Sequence, residues 1–193
     1  MLVPCYAAAY DEQIGNSYLL LQDLSETHHV PITREQQISI VEAVPARADI
    51  EAIVDALAQL HAYWWDHPLL ETGKLDIGYW CRNANRFDLY VQRRKTSWES
   101  LIAAEAAWFP DDLRVLYEQV FAGLRYHWLR YLEPRFRTKT NLTLTHGDTY
   151  FANFLVPEWP ASSATYLVDW QSASFDIATY DLVNFSATFW TSE

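Results

Sequence analysis

The chain has 193 residues, half of them apolar, with nine Trp, twelve Tyr, nine Phe and a net charge of −11. That length suits one domain with a sizeable core, and the charge argues against nucleic acid or an anionic membrane surface as the main partner. No stretch reaches the roughly 18 apolar residues of a spanning helix, and residues 1–10 lack the basic start of a secretory signal. Cys5 and Cys81, the two cysteines, have no metal or redox spacing and read as free thiols of a reducing cytoplasm.

In chain order, residues 3–10 and 18–21 read as strands joined by a turn at Gly15-Asn16. The unbroken run Leu19-Leu20-Leu21 predicts a strand buried on both faces. Thr33-Arg34-Glu35-Gln36 has the form of a capping box and predicts a helix to about residue 44, ahead of Pro45. Ile50, Ile53, Val54, Leu57, Leu60, His61 and Trp64 recur at three and four, which predicts an amphipathic helix with His61 on its apolar stripe. Residues 67–95 read as loop, with Arg93-Arg94-Lys95 on a solvated turn. A helix follows over 98–108. Another runs from Asp111-Asp112 and stops before Pro134, with Leu113, Leu116, Val120, Leu124, Trp128 and Tyr131 on one face.

Beyond Pro134 the period changes to two. Leu142 and Leu144 alternate with Thr143 and Thr145, residues 154–156 and 166–168 are short apolar strands, and residues 180–189 look helical. Charge is uneven along the chain. Residues 1–60 hold nine acids against Arg34 and Arg47, whereas residues 125–139 hold five cations against Glu133 and run into the loop that follows. A solvated helix face is the plain explanation of those cations, and attraction of phosphate the sharper one.

That loop is His146-Gly147-Asp148-Thr149-Tyr150-Phe151-Ala152-Asn153, and a strand-like segment then leads to Asp169-Trp170. An Asp, an Asn five positions on, and a second Asp after a hairpin is the spacing used in phosphoryl transfer. Asp148 would take the proton of an attacking hydroxyl. Asn153 and Asp169 would hold magnesium through hard oxygens. His146 and Gly147 would shape the loop, with Gly147 permitting a tight approach. The plain alternative is a polar loop whose Asp and Asn cap local turns. His28, His29, His61 and His67 lack metal-ligand spacing, Asp176 reads as a loop cap, and no Gly-x-Ser-x-Gly nucleophile elbow is present.

With His-Gly-Asp-x4-Asn and Val168-Asp169-Trp170 in place, the chain resembles the aminoglycoside phosphotransferase and choline kinase superfamily, closest to its ecdysteroid-kinase-like branches. The resemblance implies an α+β, protein-kinase-like fold. Residues 1–24 would be a remnant of the N-terminal lobe and hinge strand, and residues 25–193 a mostly helical C-terminal lobe, incomplete at its end. It implies ATP and Mg2+ as cofactors and a small-molecule hydroxyl as acceptor. Leu19 to Ser25 resembles the hinge strand, so Gln22, Asp23 and Leu24 would meet adenine. Leu60-His61-Ala62 resembles the recurrent Leu-His of the family. Asp181 in Tyr180-Asp181-Leu182 would brace the catalytic loop beside His146 and Gly147. Family members carry a nucleotide-covering loop and a strand Lys ahead of the hinge strand, whereas residues 1–17 hold no Lys and only Gly15. The expectation is a small-molecule kinase lacking the front of its nucleotide clamp. The alternative is an impaired fragment or pseudokinase acting as a binding module.

Overall fold

A computed structural model describes residues 2–33, 35–36, 45–72, 83–104, 109–158 and 164–187. It opens with an antiparallel hairpin of β1 (Cys5–Tyr10) and β2 (Ser17–Leu21), registered Ala8 to Leu19 and Tyr10 to Ser17. Its turn is closed by Asp11, whose carbonyl accepts from Gly15 N at 2.8 Å and whose carboxylate accepts from Gln13 N at 2.8 Å. Gly15 has φ 70°, a conformation a side chain would disfavour. Burial of β2 on both faces is not observed: Leu19 and Leu20 are 68% and 57% exposed. An apolar run records what a strand can bury, and among the described residues no layer covers this hairpin.

After β3 (His28–His29), Thr33 and Gln36 form the expected capping box. Gln36 N donates to Thr33 Oγ1 at 3.3 Å and Thr33 N to Gln36 Oε1 at 2.8 Å. Most of the helix expected to follow lies outside the described residues, as does Cys81. Helix α1 (Arg47–Trp64) follows its predicted span closely and buries Ile53, Ala56, Leu57 and His61. His29 lies between α1 and Glu158, with Nε2 3.3 Å from Asp49 Oδ2 and Nδ1 3.4 Å from Glu158 Oε1.

Helix α2 (Ala84–Ala103) replaces the second half of the expected loop and begins well before residue 98. Asn83 caps it, its side chain accepting from Arg86 N at 3.0 Å. Phe87 is the one buried residue on this polar helix, which is why no helical period stands out in the sequence. Arg93, Arg94 and Lys95 therefore sit on an exposed helix face, with Arg94 5.2 Å above the Tyr90 ring, and not on a turn. Of the helix expected over 98–108, residues 105–108 are not described.

Helix α3 (Asp111–His127) leads into a π-helical turn, Trp128–Leu132, and on into α4 (Glu133–Thr138). Pro134 thus does not stop the helix. The wide turn places it in the first turn of α4, where its missing N–H is not needed. Trp128 is buried and stacks on Phe87 at 5.0 Å, while Leu116 and Val120 stay about half exposed.

Two small sheets complete the core. Strands β3, β5 (Phe154–Pro157) and β6 (Tyr166–Leu167) form one, and β4 (Thr143–Thr145) pairs antiparallel with β7 (Ser174–Asp176) in the other. Helix α5 (Thr179–Ala187) closes the described chain, and residues 188–189 of its expected span lie outside it. Ile53 and Leu57 of α1 pack against Phe151, Phe154, Val156, Leu167 and Phe185. The architecture is α+β with small sheets, compatible with part of a kinase-like fold. Among the described residues no helix is long and apolar enough to cross a membrane.

Candidate phosphoryl-transfer site

The loop 146–150 leaves β4 and is anchored from below by one buried carboxylate. Asp181, fully buried in the first turn of α5, accepts from His146 N at 2.9 Å and Gly147 N at 2.8 Å. Its Oδ2 also receives His61 Nε2 at 2.9 Å, across 120 residues of sequence. His61 is thus a satisfied helix residue, as its place on the apolar stripe predicts. Thr149, buried behind the loop, donates its hydroxyl to the Asp181 carbonyl at 2.7 Å.

His146 is held in one tautomer. A carbonyl only accepts, so its Nε2, 2.8 Å from Val168 O, carries the proton, and Nδ1 accepts from Asp148 N at 3.4 Å. The ring also meets Trp170 edge-on at 4.8 Å. Gly147 has φ 81°, and a Cβ there would stand 2.2 Å from the carbonyl oxygen of Ser172. Both the backbone conformation and the close approach therefore require glycine.

Asp148 is half-buried, and its carboxylate makes no hydrogen bond to the described residues. Its carbonyl accepts from Asn153 Nδ2 at 2.8 Å, which fixes the Asn153 amide and leaves its Oδ1 without a partner among the described residues. Phe154 pairs with Leu167 and Leu155 with Tyr166, and Val168 N continues that ladder by donating to Asn153 O at 3.0 Å. This register sets Asn153 opposite Val168, the residue before Asp169. Asp169 is exposed and left-handed, at φ 62° and ψ 62°, where the chain turns into the short 3₁₀ segment Trp170–Ser172. The three acceptor-bearing residues singled out in the sequence thus come from one loop and one hairpin.

The segment Gln22 to Leu24 borders a cleft of ≈ 380 Å3 shared with Val3, Leu21, Ser25, His28, Val30, Leu155 and Val168. Asp23 Oδ1 accepts from Ser25 N at 2.9 Å, and hydrogen bonds from the Ser25 backbone and side chain hold its carboxyl below the ordinary range. The Leu24 carbonyl accepts from Thr27 N and His28 N, whereas the N–H groups of Asp23 and Leu24 find no partner among the described residues. Val168, which precedes Asp169, lines the cleft. A larger, mostly apolar cleft of ≈ 920 Å3 against Trp64 and Trp170 has no charged side chain among the described residues that line it. Among the described residues no three His, Cys, Asp or Glu side chains are grouped to hold a metal ion by themselves.

Asp176 ends β7 and is buried, its Oδ1 accepting from Ile177 N at 2.7 Å, which makes it a loop cap. Burial pushes its carboxyl up to about 6 from 3.8, the Ile177 N–H opposes that rise, and the charge of Asp181 adds to it. The folded chain therefore keeps this proton where the unfolded chain has lost it. Stability falls as pH rises from about 4 through about 6, by up to about 3 kcal/mol. Asp176→Asn keeps an oxygen for Ile177 N and removes the charge. It is expected to be about 1–3 kcal/mol more stable than the parent above pH 7, with a flatter profile below it. Urea unfolding across this range measures the difference, and a variant less stable than the parent at alkaline pH would contradict it.

Two features escape a reading of the sequence. One is the bond between His61 and Asp181, which are remote in sequence. The other is Gln171, whose Nε2 donates to Asp169 Oδ2 at 3.3 Å. The only signal for Gln171 is an amide two residues past an acid.

The model of the ecdysteroid kinase-like family matches residues 1–193 of this chain. No curated protein and no solved structure gives a significant match.

Proposed function

The chain belongs to the ecdysteroid kinase-like family, within the protein-kinase-like superfamily, and on that premise we propose that it transfers the γ-phosphoryl group of ATP to a small-molecule hydroxyl with magnesium bound. The observation that carries the reading is the Asn153 amide, which holds the Asp148 carbonyl while the strand register sets Asn153 opposite Val168, the residue before Asp169. Asp148, with an uncommitted carboxylate in a half-buried place, would orient the hydroxyl and accept its proton. The oxygens of Asn153 and Asp169 fit magnesium, which takes one or two protein ligands and fills its sphere with phosphate and water. Magnesium supplies neutralisation of phosphate charge when bound. The unpaired N–H of buried Leu24, with that of Asp23, would meet the base edge of the nucleotide in the apolar cleft. A net charge of −11 favours a small acceptor over nucleic acid or an anionic membrane.

The test is thermal unfolding with ATP and magnesium against magnesium alone. A ligand at about 100 times its Kd stabilises the folded state by about 2.7 kcal/mol, so a rise of several degrees is expected. No rise with any nucleotide would overturn the proposal. ADP formation from the bound nucleotide separates the enzyme from a nucleotide-binding module without turnover.

A further inference from the structure

We infer that Gln171 is a positioning residue for Asp169, holding its carboxylate so that a single oxygen faces a bound divalent cation. The inference rests on the proposed role of Asp169 and goes beyond it. The 3₁₀ segment Trp170–Ser172 is fixed on both flanks of Gln171. Trp170 donates Nε1 to Leu167 O at 2.9 Å and sets its ring against His146. Ser172 lies against Gly147 so closely that a Cβ there would come within 2.2 Å of its carbonyl oxygen. Gln171, between them, is exposed and donates its Nε2 to Asp169 Oδ2 at 3.3 Å. A turn locked to the catalytic loop thus carries one amide aimed at one oxygen.

Asp169 needs such a guide. It is exposed, so packing does not fix its rotamer, and its left-handed backbone sets the side chain off at an angle that extended neighbours would not. An amide donor on Oδ2 leaves Oδ1 as the ligand atom and disfavours a two-oxygen grip. It does so without placing a competing positive charge beside the cation, as Lys or Arg would. Partners that orient a ligating carboxylate commonly matter about 10–100-fold in metal affinity.

Manganese, which can be followed by electron paramagnetic resonance, serves as the probe. Its affinity is measured in the presence of a non-hydrolysable ATP analogue for the parent chain, Gln171→Met, Gln171→Asn and Asp169→Asn. Methionine keeps the shape and loses the donor, while asparagine keeps an amide too short to reach. Both Gln171 variants are expected to weaken manganese binding by about tenfold, with metal-free analogue affinity and Tm unchanged. A purely structural role would move Tm or the metal-free affinity instead. If Asp169→Asn weakens manganese while both Gln171 variants stay at parent affinity, the inference falls and the site stands. If Asp169→Asn itself leaves manganese binding unchanged, the ligand role of Asp169 falls and takes the inference with it.

Discussion

Asp148→Asn is expected to lower ADP formation from ATP and magnesium by about 10²–10⁴-fold while leaving the fold intact. Among the acids of the site, Asp148 alone keeps its carboxylate clear of hydrogen bonds to the described residues. Asp181 is spent on three N–H donors, Asp176 on Ile177 N and Asp169 on Gln171. What ties Asp148 into the loop is backbone: its N–H on His146 Nδ1 and its carbonyl under Asn153 Nδ2. Asparagine preserves both links and the side-chain volume, so stability should change by no more than about 0.5 kcal/mol. What is lost is the basic oxygen. The measurement is ADP release with a panel of small alcohols and with water alone, at saturating nucleotide. Parent-level turnover in the variant would remove Asp148 from the role of proton acceptor.

The centre of this site was legible because it is local. Asn153 lies five positions after Asp148, and one hairpin leads on to Asp169, so the backbone has few ways to separate them. The β5–β6 register then sets Asn153 opposite Val168, one residue before Asp169. The capping box at Thr33 and Gln36 was readable for the same reason, since both partners lie within four residues. Expectation and structure part where a local signal has a non-local cause. Leu19 to Leu21 look like a central strand, yet burial depends on what is laid over them. Pro134 looks like a stop, yet a π-helical turn just before it lets the helical path continue. Residues 84–95 look like loop because a mostly solvated helix has little apolar period to show, and Asn83 was the cue that counted. Gln171 carried almost no signal, because its meaning comes from a turn pinned by Trp170 and Ser172.

The largest effect on the fold is expected from Asp181→Ala. A resemblance could mark Asp181 as a brace, but its full load shows only in three dimensions. Its carboxylate is fully buried and takes the N–H groups of His146 and Gly147 and the Nε2 of His61. Truncation leaves two backbone donors and one ring nitrogen without an acceptor in a dry place. Each such orphan costs about 1–3 kcal/mol, and loss of one partner from a buried charged network costs about 3–5 kcal/mol in all. Against a total stability of about 5–15 kcal/mol, that removes a large share of the margin. Asp181→Asn should recover only part of it, because one oxygen becomes an NH₂ group facing a donor: either Gly147 N, or His146 N together with His61. Urea unfolding of the parent, both Asp181 variants, His61→Phe and the double variant measures these terms. The His61 and Asp181 changes should be non-additive, with a coupling of about 0.5–3 kcal/mol, since they share one contact. Strict additivity would mean that His61 is merely packed beside Asp181. Because the same carboxylate sets the backbone at His146 and Gly147, Asp181→Asn should also lose turnover at temperatures where it remains folded. That loss should exceed what its unfolded fraction explains, which ties the depth of the core to the position of Asp148.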